Sequence, residues 1–293
     1  MDKLSQRIQN LMGSAPDHIS RLSGGCVGDV FKVCLGNGQN LVAKVSNTGS
    51  INCVSPLEGG LRIEGQMLIY LRQNTQLPIP HVHFVDNHLL LMDFLPNDGG
   101  LGVCEQTHAA ELVAHLHTIS TDKGFGFANN TVIGGLDQPN PWTTSWIDFF
   151  TNQRLLYMGQ NALKAHKLPP KVWDRLQKLC QNLERWLVEP AKPALVHGDL
   201  WGGNVLSAKR RISGFIDPAI YFADAEVELA FTTLFNTFGE AFFKRYHEIR
   251  PIRPGFFEQR RDLYNLYPLL VHVRLFGETY VRDLESALRK FGF

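Results

Sequence analysis

Three side chains in the second half of the sequence have the types and spacing to act on one reacting group. Asp199 and Asn204 stand five positions apart in LVHGDLWGGNVL (residues 195–206), with Gly202 and Gly203 between them. A second carboxylate, Asp217, ends the apolar segment ISGFID. A carboxylate can accept the proton of an attacking hydroxyl. A carboxamide oxygen and a further carboxylate suit magnesium, a hard cation that takes oxygen ligands. An Asp on a loop is, by itself, as readily a buried acceptor for loop amides. The pattern becomes specific because an apolar strand ending in Asp follows the loop at once.

These residues need a scaffold. Residues 194–196 and 205–206 read as short buried strands, which puts 197–204 on a rigid loop between them. In the first half, apolar strands at 19–23 and 30–35 flank Gly24-Gly25-Cys26-Val27-Gly28, a turn whose backbone amides can approach phosphate closely. Asn37-Gly38 predicts a hairpin. The strand LVAKV that follows carries Lys44, costly in an apolar strand unless paired. Glu64 lies in a helical pattern with Leu61, Leu68 and Leu71; the competing Glu58 precedes Gly59-Gly60, a poor helix interior. Strands at 82–85 and 89–92 are joined by Asn87-His88 and lead into Asp93-Phe94-Leu95-Pro96. Leu4, Ile8, Leu11 and Met12 share one face of an N-terminal helix.

Beyond Asn97-Asp98-Gly99-Gly100 the periodicity is helical. Helices are predicted over 105–119, over 170–188 and over 225–235, the last with Glu228 turned back towards the Asp199 loop. Residues 124–140 read as a long irregular loop. Trp142, Trp146 and Phe149 or Phe150 fall at helical spacing and read as core. His115 and His117, two apart on a helix, point in different directions and exclude a shared metal; one of them reads as a core or capping histidine. Residues beyond 235 read as helices broken at Pro251, Pro254 and Pro268. The whole is α+β, in two lobes: a small antiparallel sheet with one main helix over 1–95, which would cover a nucleotide, and a large, mostly helical part over 96–293.

Composition narrows the function classes. Of 293 residues, 44% are hydrophobic and 19% charged, as expected of a folded chain with a large core. The formal net charge of +1, without a long basic run, argues against a nucleic-acid surface. Five scattered cysteines with no C-x-x-C fit a reducing cytoplasm. No signal peptide or membrane-length apolar run is present in the sequence.

The order of glycine-rich turn, strand lysine, helix glutamate, Asp–Asn loop and strand-end Asp resembles that of kinases. LVHGDLWGGN followed by FIDPAIYFADAEVELA, with GFGFANNTVIGG, QPN and PWTTSWIDFFTNQRL in mid-chain, resembles the fructosamine kinase (ketosamine 3-kinase) family, related to protein kinases and aminoglycoside phosphotransferases. The resemblance spans nearly the whole chain. It implies ATP- and magnesium-dependent phosphorylation of the 3-hydroxyl of ketoamines, ribulosamines and erythrulosamines before fructosamines, on protein lysines or free amines, with release of the amine as deglycation. It implies Gly24 and Gly25 over the phosphates, Lys44 held by Glu64 on the α- and β-phosphates, and backbone groups of Asp93, Phe94 and Leu95 at the adenine edge. It also implies magnesium on Asn204 and Asp217, Asp199 as base, and His197 bracing the loop by hydrogen bonds. Trp201 reads either as a platform for the sugar or as packing. Asp224 stands where the family usually has histidine, and is a candidate substrate contact. Cys26 reads as redox-sensitive or as a small inert residue. A kinase of the aminoglycoside or choline type and a non-catalytic nucleotide-binding scaffold are the alternatives; the second should lack one of Lys44, Asp199, Asn204 or Asp217. No nucleic-acid or membrane partner is expected, and the chain is a monomer or homodimer.

Overall fold

Strict alternation of apolar positions shapes the first part of the chain. A computed structural model describes residues 2–22, 28–46 and 59–293; Gly24, Gly25, Cys26 and Glu58 lie outside these. Helix α1 (Asp2–Met12) leads into strands β1 (Pro16–Arg21), β2 (Asp29–Leu35) and β3 (Asn40–Val45), then helix α2 (Gly60–Asn74) and strands β4 (Val82–Val85) and β5 (Leu89–Asp93). The five strands form one antiparallel sheet, ordered β1-β2-β3-β5-β4. Successive strand side chains point to opposite faces. Leu41, Ala43, Leu89 and Leu91 therefore face α1 with Val33, Leu35 and Ile8. Leu90 and Met92 face the other way, towards Leu61, Leu68 and Leu71 of α2. Lys44, next to Ala43, has to lie on this second side, which is the side that faces the rest of the molecule. Of the four residues expected on the buried face of α1, Leu11 is 39% exposed and sits at its edge.

The remainder is mostly helical: α3 (Val103–Leu116), hairpin β6 (Thr131–Ile133) and β7 (Leu136–Gln138), α4 (Trp146–Phe149), α5 (Tyr157–Lys164) and α6 (Pro170–Cys180). Strands β8 (Ala194–Val196), β9 (Val205–Ala208), β10 (Arg211–Phe215) and β11 (Tyr221–Ala223) precede α7 (Ala225–Leu234), α8 (Glu240–Ile249), α9 (Arg261–Tyr264), α10 (Leu266–Phe276) and α11 (Val281–Lys290). Trp146, Phe149 and Phe150 are fully buried, and one core runs from α2 through these aromatics to α10 and α11.

Several boundaries differ from the sequence reading. The helix expected over 170–188 ends at Cys180, and a 3-10 turn at Leu183–Arg185 follows. The irregular stretch 124–140 contains the β6–β7 hairpin. Trp142 precedes its helix, because Ser145 accepts Asp148 N–H at 3.1 Å and starts α4 at Trp146. Pro268 does not break the chain. It occupies the first turn of α10, where a missing N–H costs nothing. Among the described residues no helix is long and apolar enough to cross a membrane.

Candidate active site

Two strand pairings bring the polar loops together. β9 pairs with β10 through Val205 and Phe215, and β8 with β11 through Val196 and Tyr221. The loop 197–204 and the loop 216–220 thus leave the same end of neighbouring ribbons. They are tied by Ile216 N–H to the Asn204 carbonyl at 3.1 Å and Ala219 N–H to the His197 carbonyl at 2.8 Å. Gly198 has φ +84°, and a Cβ there would stand 2.0 Å from the Ala219 carbonyl oxygen, so only glycine fits this close approach. Asp217 adopts φ +54°, a left-handed conformation that costs a non-glycine residue of order 1 kcal/mol or more. Strain of this kind at a carboxylate is common where function fixes the backbone.

Lys44 crosses from the sheet to this site. Its Nζ donates to Glu64 Oε1 of α2 at 2.7 Å and to Asp217 Oδ1. The lysine is 6% exposed. Burial alone would depress the ammonium, but the carboxylates of Asp217 and Glu64 outweigh it and hold it above the ordinary lysine range. Burial pushes the Glu64 carboxyl up to about 7, with Lys44 opposing and Asp217 adding. The lysine, its helix glutamate and the strand-end aspartate therefore form one connected unit.

Asn204 Nδ2 donates to the Asp199 carbonyl at 2.8 Å and to Asp199 Oδ2 at 2.9 Å. That orientation, assigned from the hydrogen bonds, leaves Asn204 Oδ1 uncommitted among the described residues. Asp217 uses Oδ1 for Lys44, and its Oδ2 accepts no bond among the described residues, although its carboxyl lies beside that of Glu64. Two oxygens of this kind beside a charged lysine are a donor set that fits magnesium with a phosphate chain. Burial, reinforced by the Asp217 charge, pushes Asp199 up to about 8. A base raised in this way holds a proton more tightly than a free aspartate, which suits it to taking one from a hydroxyl.

Behind the loop, Glu228 Oε1 accepts Gly198 N–H at 2.7 Å, as the reading of α7 anticipated. His197 is 1% exposed and its ring lies beside Phe215. Among the described residues neither ring nitrogen has a partner at full hydrogen-bond geometry. His197 therefore meets the loop by a hydrogen bond at its backbone carbonyl, from Ala219 N–H, while its ring contributes packing. Burial lowers its pKa, with Glu228 and Asp217 opposing.

Asp224 is also corrected. It is 3% exposed and both oxygens of its carboxylate are engaged. Oδ1 caps α7 through Glu226 N–H at 3.1 Å; Oδ2 accepts the Tyr264 hydroxyl at 2.9 Å and a bond from Arg253. Glu226 binds Arg260 at 2.6 Å, which closes a buried network. Asp224 is a helix cap inside that network, with no face open to a ligand. Trp201 is 40% exposed, meets Phe235 edge-on at 6.2 Å and lies over Gly203, so packing holds one side of its ring and solvent meets the other.

At the sheet edge, Asp93 N–H donates to the His81 carbonyl and Phe94 N–H to that of Asn40. The Asp93 carboxylate meets His83 at 2.7 Å, and Lys32 covers the Phe94 ring at 4.3 Å. Both amides serve the sheet. Of the three residues expected at a base edge, Leu95 is the one whose amide has no partner among the described residues.

Sequence reasoning missed the buried Arg154 and the partly buried Arg253, and gave His117 only as a candidate core or capping histidine. His117 is tied to Glu228 and Tyr246. Arg154 is fully buried, stacks on Tyr221 at 3.9 Å and donates to Asn140 Oδ1 at 2.6 Å. Arg253 joins Asp224 to Glu226. Arg154 ends the polar run Thr151-Asn152-Gln153-Arg154 and Arg253 stands between Ile252 and Pro254, settings shared with many surface positions.

Comparisons with known proteins bear on the family and the fold. The fructosamine kinase family model matches residues 1–291. A Synechocystis protein named a ketoamine kinase is 40% identical over 61% of this chain and 59% of that one. A chloroplastic protein-ribulosamine 3-kinase of Oryza sativa subsp. indica is 31% identical, covering 89% of this chain and 75% of that one. The crystal structure of a protein from Thermobifida fusca, described as a fructosamine-3-kinase, superimposes with a TM-score of 0.85 at 27% identity, covering 99% of this chain and 98% of that one.

Proposed function

Because the chain belongs to the fructosamine kinase family, we propose that it transfers a phosphoryl group from ATP to the 3-hydroxyl of ketoamines, ribulosamine and erythrulosamine adducts first and fructosamine adducts second. The carriers are protein lysines or free amines, the outcome is deglycation, and the setting is the cytoplasm. One observation carries the reading: Lys44 is bonded to Glu64 and Asp217, Asn204 to Asp199, and the Ile216 N–H bond to the Asn204 carbonyl joins the two sets, so residues from three distant stretches meet at one site. The names of the Synechocystis and rice relatives support the choice of substrate.

The division of labour follows from the geometry. Lys44, kept charged by its two carboxylates, neutralises the α- and β-phosphates. The Leu95 amide binds the adenine edge, with the neighbouring backbone of Asp93 and Phe94 forming its wall. Gly24 and Gly25 cover the phosphates in this reading, from outside the described residues. Asn204 Oδ1 and Asp217 Oδ2 would hold magnesium, which when bound offsets charge on the phosphate oxygens. Asp199, oriented by Asn204 Nδ2, positions the sugar hydroxyl and takes its proton. The transition state of phosphoryl transfer is loose, so positioning and charge stabilisation supply most of the rate. Trp201 offers its exposed ring face to the apolar face of the sugar.

The test is ATP consumption with magnesium on ribulose-lysine, fructose-lysine, an aminoglycoside and choline, with Asp199→Asn as blank. Turnover of a ketoamine that the substitution abolishes is the expected result. Turnover of choline or the aminoglycoside alone would overturn the reading.

A further inference from the structure

Glu228 presents its two oxygens to different elements. Oε1 accepts Gly198 N–H, while Oε2 faces His117 Nε2 at 2.9 Å; the other ring nitrogen, Nδ1, lies 2.7 Å from the Tyr246 hydroxyl. All three side chains are buried. His117 ends α3, Glu228 sits on α7 and Tyr246 on α8, so three helices meet here. Proton positions follow from donor and acceptor types. The amide can only donate and the ionised carboxylate only accept, so Nε2 carries a proton, and in the neutral imidazole Nδ1 accepts from Tyr246. Every donor in this chain has one acceptor, and the chain ends on the residue directly before Asp199.

A buried polar chain of this kind is expensive unless complete, and Leu or Phe would join three helices at less cost. The Gly198 amide is where it delivers something packing cannot: a charge-assisted bond that holds a left-handed glycine in place. We propose that His117 is a positioning residue for phosphoryl transfer: with Tyr246 it fixes the Glu228 carboxylate, which fixes Gly198 N–H and so the pose of Asp199. The inference rests on the reading of Asp199 as the base.

The experiment compares His117→Leu, His117→Gln and Tyr246→Phe in the full chain by three readouts. These are Gly198 amide exchange by NMR, kcat against KM for ATP, and the thermal midpoint. His117→Leu should speed Gly198 exchange relative to the β8 amides and lower kcat about tenfold or more, with KM for ATP within about twofold, since small misplacements of a reacting group cost rates of that order. His117→Gln, whose carboxamide can still donate to Glu228, should recover part of both. Should His117→Leu fail to fold, Tyr246→Phe, which removes one oxygen, should show the same changes in smaller measure. A lower midpoint with wild-type kcat and wild-type Gly198 exchange would overturn the proposal, as would a Gln variant no better than Leu. If the wild type phosphorylates no ketoamine, the proposed substrate fails by itself. Gly198 exchange and slow hydrolysis of ATP then still decide the positioning role.

Discussion

Replacing Asp199 by Asn should raise the stability of this protein while removing its chemistry. The substitution keeps the side chain's size, and its oxygen can still accept the Asn204 bond, but the charge is lost. Burial and the Asp217 charge push the Asp199 carboxyl from 3.8 up to about 8. The folded state therefore favours the protonated acid. Below the unfolded value the carboxylate costs the fold nothing. The penalty grows as pH rises from about 4 to about 8, because the folded state binds more protons there, and it is constant above. Four units correspond to roughly 6 kcal/mol at about 1.36 kcal/mol per unit. The residue as a whole is only partly buried, so screening should leave about 2–3 kcal/mol. The Asn variant, free of nucleotide and in EDTA, should thus unfold in urea with about 2–3 kcal/mol more stability than wild type near pH 8.5, and with less than about 1 kcal/mol of difference near pH 4.5. Phosphoryl transfer should fall by roughly 10²–10⁴. A difference that does not change with pH would show that Asp199 is not desolvated, and a kcat retained within about tenfold would remove it as the base.

Other substitutions probe the supports. Lys44→Met leaves Glu64 and Asp217 facing one another without a cation; it should lower stability by about 3–5 kcal/mol and raise KM for ATP, read by calorimetry and initial rates. Gly198→Ala drives a Cβ into the Ala219 carbonyl and should cost roughly 3 kcal/mol or prevent folding, measured as soluble yield and midpoint. Asp224→Asn weakens a buried cap and its bond to Arg253; about 1–3 kcal/mol of stability should go while KM for the ketoamine stays unchanged, whereas a raised KM would restore Asp224 as a substrate contact. Lys209 and Arg210 turn the β9–β10 hairpin at φ +53° and +62°, so Lys209→Asn with Arg210→Gly should stabilise by about 1 kcal/mol in denaturant unfolding without altering kcat.

Local pattern was enough for much of this molecule. Asp199, Asn204 and Asp217 were legible because short apolar strands bracket them, and alternation along β3 alone puts Lys44 on the side opposite Ala43. Glu64 followed from a helical stripe, and Glu228 from its place on α7. What the sequence could not show is where a buried polar side chain finds its partner, since partners come from any distance along the chain. Asp224 looked available until Tyr264 and Arg253 occupied it from across the fold. His197 reads as a hydrogen-bonding brace, and only the structure shows that the bond is made by its backbone carbonyl, its ring nitrogens having no partner among the described residues. His117 looked like an ordinary core histidine and proved to be a link to the loop that carries Asp199. Helix ends erred for the same reason: Cys180 and Trp146 are boundaries set by capping bonds and packing, which periodicity does not encode. Residue types and spacing by themselves determined the chemistry. Tertiary structure alone decided which carboxylates are free to perform it, because a carboxylate buried under its own cap and ion pair, as Asp224 is, cannot be reached by a ligand.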